Sequence, residues 1–201
     1  MKSLICFLIV VTSLPVLAQE RTLFDVDNIT HGGYGAFVTK ASTINGEGAL
    51  LMGGRGGWII NHVFAIGGGG YGLVNNVHSR MLGPWGERFV GMGYGGLDLE
   101  FIIDSDELVH FSVHSLIGAG AVGFRNDLTD GWNDNNYNYD QRQDAFFVAE
   151  PGFTIDLNVT HWFRTSIGAD YRYVSGVTSG AAKNSDLSGP SATLTFRFGK
   201  F

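Results

Sequence analysis

Beyond residue 31 the hydrophobic and polar positions of the chain alternate with a period of two almost throughout, and no long stripe of period 3.6 interrupts them. From Phe163 to Tyr173 the odd positions read Phe163, Thr165, Ile167, Ala169, Tyr171 and Tyr173, whereas the even ones read Arg164, Ser166, Gly168, Asp170 and Arg172. The preceding stretch repeats the pattern, with Phe147, Ala149, Phe153, Ile155, Leu157 and Val159 on one parity and Glu150, Gly152, Thr154, Asp156 and Asn158 on the other. Eight such segments are predicted as strands, at about 32–40, 47–60, 63–77, 88–103, 108–125, 144–159, 163–176 and 190–201. Several exceed the five or six residues usual in globular strands and reach the ~9 to 11 needed to cross a bilayer at a tilt. Their connections alternate between short (61–62, 104–107, 160–162) and longer, polar ones (41–46, 78–87, 126–143, 177–189). An even number of alternating strands with short turns on one side predicts an all-β fold, an eight-stranded antiparallel up-and-down transmembrane β-barrel. The chain is too short for a porin of about sixteen strands.

Composition adds the compartment. Lys2, the apolar run of residues 4–14 and the small-residue site ending at Ala18 predict a signal peptide over residues 1–18, followed by a lead-in at 19–31 and the barrel at 32–201. The sole cysteine, Cys6, falls inside the signal, so neither a disulfide framework nor a thiolate metal site is expected in the processed chain. Without Lys2 there remain 12 Lys and Arg against 19 Asp and Glu, a net charge of −7 that argues against nucleic acid as a partner. Charged residues make up only 16% of the chain, below the ~25% of soluble domains, as a surface facing lipid would require.

The 168–176 strand GADYRYVSG and the aromatic-rich 193–201 stretch TLTFRFGKF resemble the small eight-stranded outer-membrane barrels of the OmpA/OmpX type, and the run from 44 to 76 is similar to barrels of Bacteroidota. The resemblance spans residues 19–201 and implies the bacterial outer membrane, lipid and lipopolysaccharide as surroundings, and the barrel assembly machinery as a partner. In that family the assembly signal ends in an outward-facing Phe. Here Leu194, Phe196 and Phe198 share a parity that Phe201 does not, so either a bulge restores it or the signal is Phe196-Arg197-Phe198.

Assigning the apolar parity to lipid leaves Arg55, Asp98, Glu100, His110, His114, Glu150, Asp156, Arg164, Asp170 and Arg172 facing inward. Eight strands enclose a bore only wide enough for side chains, so a network built on Arg55, Asp98, Glu100, Glu150, Asp156, Arg164, Asp170 and Arg172 is expected to plug it. The 30 glycines, many inside strands at 53–57, 67–72 and 91–96, are read as relief where the wall bends or a lumen side chain needs room. Gly67 to Gly72 and Gly91 to Gly96 match GxGxxG, but no helical pattern follows either, which excludes a dinucleotide fingerprint. Trp58, Trp162, Phe163, Tyr171 and Tyr173 are expected at the membrane interface.

The enzyme candidate is the pair His110 and Ser112, which resembles the His and Ser of outer-membrane lipid A deacylases; the Asn-rich stretch and downstream acid of that family are missing here, and both residues carry the inward parity. His110 and His114 lie ~13 Å apart on a strand, too far to share an ion. Asp134, Asn136 and Asn138 have the spacing of a calcium loop but lack its Gly and Glu, and Trp132, Tyr137 and Tyr139 suit a solvated loop able to stack on sugars. No catalytic, metal or cofactor site is therefore expected. The expectation is a monomeric barrel with a structural or surface-contact role; a soluble secreted lipocalin-like barrel, with the parities reversed, is the alternative.

Overall fold

The computed structural model describes residues 29–80, 88–125, 143–178 and 182–201. The signal segment, most of the lead-in and nearly all of the 126–143 loop, with Trp132, Asp134, Asn136, Tyr137, Asn138 and Tyr139, lie outside them. Eight strands follow one another: β1 (His31–Ile44), β2 (Glu47–Ile60), β3 (Phe64–Leu73), β4 (Phe89–Ile103), β5 (Val109–Arg125), β6 (Asp144–Thr160), β7 (Phe163–Ser175) and β8 (Gly189–Lys200). One short helix, α1 (Asn184–Leu187), precedes β8. Each strand pairs antiparallel with the next, and β8 closes on β1 from Lys200 opposite Gly33 to Ser191 opposite Ser42. Up-and-down closure leaves no edge strand exposed.

Two boundaries differ from those the pattern predicts. The first strand runs on to Ile44, and the residues expected to form a loop from 41 reduce to a two-residue turn, Asn45-Gly46, both at positive φ. An Asn-Gly turn of that kind matches the twist of the strands it joins, so the hairpin stays paired to its end. The third strand stops at Leu73 rather than at 77, because Asn75 leaves the ladder to bond the β2 backbone, accepting from Leu50 N–H at 2.7 Å and donating to Gly48 C=O at 2.8 Å. The connection at 177–189, expected to be polar loop throughout, contains α1, which carries the buried Leu187.

The two faces of the wall have opposite chemistry. Outward positions include Phe37, Trp58, Leu97, Phe111, Phe153, Ile167 and Phe198, each 47–61% exposed. Inward positions hold the charges from near the tight turns (Arg164, Arg197) through the middle of the wall (Lys40, Glu150, Asp170), with Arg172 nearer the loops, and an apolar cluster of Ile44, Leu51, Leu73, Val77, Val90, Val122, Val148 and Leu187 toward the long loops. Close approach explains specific inward glycines. Gly96 and Gly118 are directly paired on β4 and β5, and a Cβ on Gly96 would fall 2.6 Å from the Gly118 Cα. Others in the same runs, among them Gly54, Gly68, Gly70, Gly93 and Gly95, have the outward parity of Met52, Ile66 and Leu97 and so make no room for lumen side chains.

Candidate functional site in the barrel lumen

Because β-strand side chains alternate, one parity of all eight strands converges on the bore. Five cations, Lys40, Arg55, Arg164, Arg172 and Arg197, meet five carboxylates, Asp98, Glu100, Glu150, Asp156 and Asp170, and all ten are buried. They sort into two layers. Nearer the tight turns, Arg197 on β8 lies 2.7 Å from Glu100 on β4 and 3.4 Å from Asp156 on β6, while Arg55 on β2 lies 3.6 Å from Asp98 on β4. Glu100 also accepts from Tyr34 Oη at 2.9 Å, and Asp156 accepts from Ser112 and Thr154 at 2.8 Å and from Ser166. In the second layer Lys40 on β1 bridges Glu150 on β6 at 2.6 Å and Asp170 on β7 at 2.8 Å, above the Tyr71 ring at 3.9 Å. Tyr94 Oη donates to Glu150 at 2.8 Å, and His114 Nε2 lies 3.2 Å from Asp170.

That last contact spans a strand. His114 on β5 and Asp170 on β7 are both register partners of Gly152 on β6, and a Cβ there would strike the Asp170 carboxylate. Glycine at 152 thus lets two side chains meet across the strand between them.

All eight predicted network residues point into the bore, but the structure brings only Arg55 and Asp98 together as a pair among themselves. Four of the remaining contacts run through Lys40 and Arg197, which are not among the eight residues expected in the network. Lys40 closes the strand predicted at 32–40 and Arg197 lies inside Phe196-Arg197-Phe198, and each shares the inward parity of its strand. The other two predicted cations take neutral partners. Arg164 donates to Ser105 C=O at 3.3 Å and stacks on the Phe201 ring at 4.1 Å, and Arg172 donates to Leu187 C=O at 2.7 Å. Arg164 and Arg197 are direct neighbours across the β7–β8 ladder, a like-charge pairing that the Phe201 ring and the two carboxylates offset.

No shift in register interrupts β8 against β1, so Phe201 keeps the inward parity and covers the turn-end mouth, its ring 6.5 Å from that of Tyr34. The outward aromatics nearby form a continuous cluster: Phe163 lies 5.0 Å from Phe198 and 6.4 Å from Phe196, and Trp162 lies 6.2 Å from Phe198. Trp58 is exposed at the same end and Tyr171 and Tyr173 toward the other, which distributes the predicted interface aromatics between the two rims of the outer surface.

His110 and Ser112 face inward, away from any lipid substrate. Ser112 donates to Asp156, while the His110 ring contacts the Glu107 carbonyl at 3.4 Å, so the serine is not held by a histidine base as acyl transfer requires. Among the described residues no group of three His, Cys, Asp or Glu is placed to hold a metal ion. A lipocalin-like arrangement would put the apolar parity inward; here the inward parity carries the charges.

No protein-family model matches the chain, and no curated protein sequence does. Among solved structures it is similar to Neisserial surface protein A, at 12% identity and a TM-score of 0.51 over 87% of this chain and 99% of that one. It is also similar to Ail, the attachment invasion locus protein of Yersinia pestis, at 11% identity and a TM-score of 0.47 over 84% and 97% of the two chains. Outer membrane protein OprG from Pseudomonas aeruginosa is a third, at 10% identity and a TM-score of 0.36 over 84% and 94%. With eight antiparallel strands closed around inward charges, the chain has the fold of the small eight-stranded outer-membrane β-barrels.

Proposed function

We propose that the protein is an integral barrel of a bacterial outer membrane, tight turns in the periplasm and long loops outside, whose lumen is held shut and whose role is structural or surface contact. The observation that carries this reading is the inverted distribution of side chains. Large apolar residues such as Ile167, 61% exposed, occupy the outer wall, while ten charged residues are buried inside. In water that arrangement is unfavourable on both faces; in a bilayer the outer wall meets hydrocarbon and the charges meet one another. Outer-membrane lipid and lipopolysaccharide are its surroundings and the barrel assembly machinery its route of insertion, reached after removal of a signal at residues 1–18. It works as a monomer and as no enzyme, since the one nucleophile candidate, Ser112, is buried against a carboxylate.

Packing supports the closed reading: the cavity lined by Val38, Lys40, Arg55, Tyr71, His114, Asp170, Thr193 and Thr195, between the two ionic layers, has no room for a water molecule. Cell fractionation is expected to place the protein in the outer-membrane pellet, with heat-modifiable migration in detergent gels and no steady conductance in planar bilayers. Recovery as a soluble periplasmic protein would overturn the membrane reading. A stable open current would overturn the closed lumen while leaving membrane insertion intact.

A further inference from the structure

At the loop end the apolar cluster inside the barrel takes in a residue that is not part of the wall. The short helix α1 sends a single side chain, Leu187, into the apolar cluster that also holds Ile44 and Val77, all three fully buried. We infer that α1 is a displaceable stopper, seated by Leu187, held from below by Arg172 and from outside by Arg80, whose withdrawal opens the outer half of the lumen while the two ionic layers stay shut.

Three observations carry this. First, α1 belongs to no ladder. Besides the Arg172 bond described below, its hydrogen bonds to its surroundings are few: Asn45 N–H to Asp186 C=O at 3.3 Å, Val177 N–H to the Asn184 side-chain oxygen at 2.9 Å, and Val174 N–H to the Ser188 hydroxyl at 3.0 Å, just after the helix. The rest close its own turn, with Leu187 N–H donating to Lys183 C=O at 3.1 Å and Ser188 N–H to Asn184 C=O at 3.0 Å. A single helical turn does not persist by itself, so its place depends on tertiary contacts that can be lost without opening the barrel.

Second, the outer hold is an ion pair open to water on one side. Arg80 Nη2 reaches Asp186 Oδ1 at 2.7 Å, with the Arg80 side chain half exposed and that of Asp186 9% exposed, so solvent and salt reach the pair from the Arg80 side and screen it.

Third, the inner hold is unusual for a buried cation. Arg172 is completely buried, yet its partners are neutral: Nε donates to Leu187 C=O at 2.7 Å and Nη2 to the Ser42 hydroxyl at 3.3 Å, while Nη1 has no hydrogen-bond partner. A guanidinium out of water needs its donors met, which ties it to the Leu187 carbonyl. It also lies 5.8 Å from the centre of the Tyr94 ring, and Tyr94 donates to Glu150. The seat of the stopper therefore stands directly on the Lys40–Glu150–Asp170 layer, which closes the floor when the stopper leaves.

The test reads exposure at the seat. In a Cys6→Ser background, Leu187→Cys carries the only thiol, and the folded barrel in detergent micelles is treated with a charged methanethiosulfonate reagent. The labelling rate is expected to rise about two- to fivefold in 1 M NaCl or with Arg80→Ala, the change that a partly exposed ion pair carries. With Arg172→Met it is expected to rise about ten- to a hundredfold, as for the loss of a charged hydrogen bond. A thiol placed at Thr195, below the floor, stays unlabelled throughout. Rates at position 187 that ignore all three changes, or that match those at 195, overturn the proposal. Hydrogen exchange on the unsubstituted barrel gives an independent reading. The amides of Leu187 and Ser188 are expected to exchange at least about a hundredfold faster than that of Val174's neighbours in the β7 ladder and to accelerate in salt; equal protection overturns the stopper even if Leu187→Cys does not fold.

Discussion

Lys40→Met removes the ammonium that joins Glu150 to Asp170 and keeps a side chain of similar length. The wild-type distances are 2.6 and 2.8 Å, both carboxylates are buried, and what remains to them is one tyrosine hydroxyl on Glu150 and His114 beside Asp170. Removing one member of a buried ion pair typically costs about 3–5 kcal/mol, because the partner stays desolvated without compensation. Two carboxylates lose their partner here, so the upper part of that range applies, roughly a thousandfold in the folding equilibrium. The measurement is urea unfolding of the barrel in lipid vesicles, followed by heat-modifiable migration. The triple variant Lys40→Met, Glu150→Gln, Asp170→Asn is expected to recover most of the loss, since replacing all charged members removes the uncompensated ones. A loss under about 1 kcal/mol in Lys40→Met, or a triple variant as weak as the single one, would refute the argument that Lys40 holds the layer together.

Gly152→Val should place its side chain against the Asp170 carboxylate, separate it from His114 and lower the folded fraction in refolding gels, whereas the outward Gly70→Ala should leave that fraction unchanged. Phe201→Ala strips the ring from Arg164 and Tyr34 and is expected to cost about 1–2 kcal/mol in the same urea assay, the scale of a buried cation–π contact. Single-tryptophan variants retaining Trp58 or Trp162 should be quenched most by lipids brominated near the headgroup; stronger quenching by chain-terminal bromine would move both rings out of the interface.

Strand number, order and parity could be read from the chain because a barrel wall is a local pattern repeated: each residue's face follows from its neighbour two positions away. The ion-pair partners could not be read, because they depend on shear, which brings Lys40 of β1 against Glu150 of β6, 110 positions along the chain. Parity alone would have found Lys40 and Arg197. Lys40 stands at the predicted end of a strand that in fact runs on to the Asn45-Gly46 turn, and Arg197 lies between two outward-facing rings, Phe196 and Phe198. The α1 stopper carried no signal of period two or 3.6, being a single turn whose one apolar side chain matters only once the mouth beneath it exists.

The pairing of Lys40, Arg55 and Arg197 with five buried carboxylates also bears on the order of events by which such a chain enters a bilayer. Lys40 belongs to the first strand and Arg197 to the last, and their partners sit on strands four, six and seven. A half-built, open sheet would turn all ten charges toward hydrocarbon with hardly any partner in reach, at several kcal/mol for each ion. Crossing the membrane strand by strand is thereby disfavoured, and the last strand must meet the first as the wall goes in, making insertion and closure a single cooperative step.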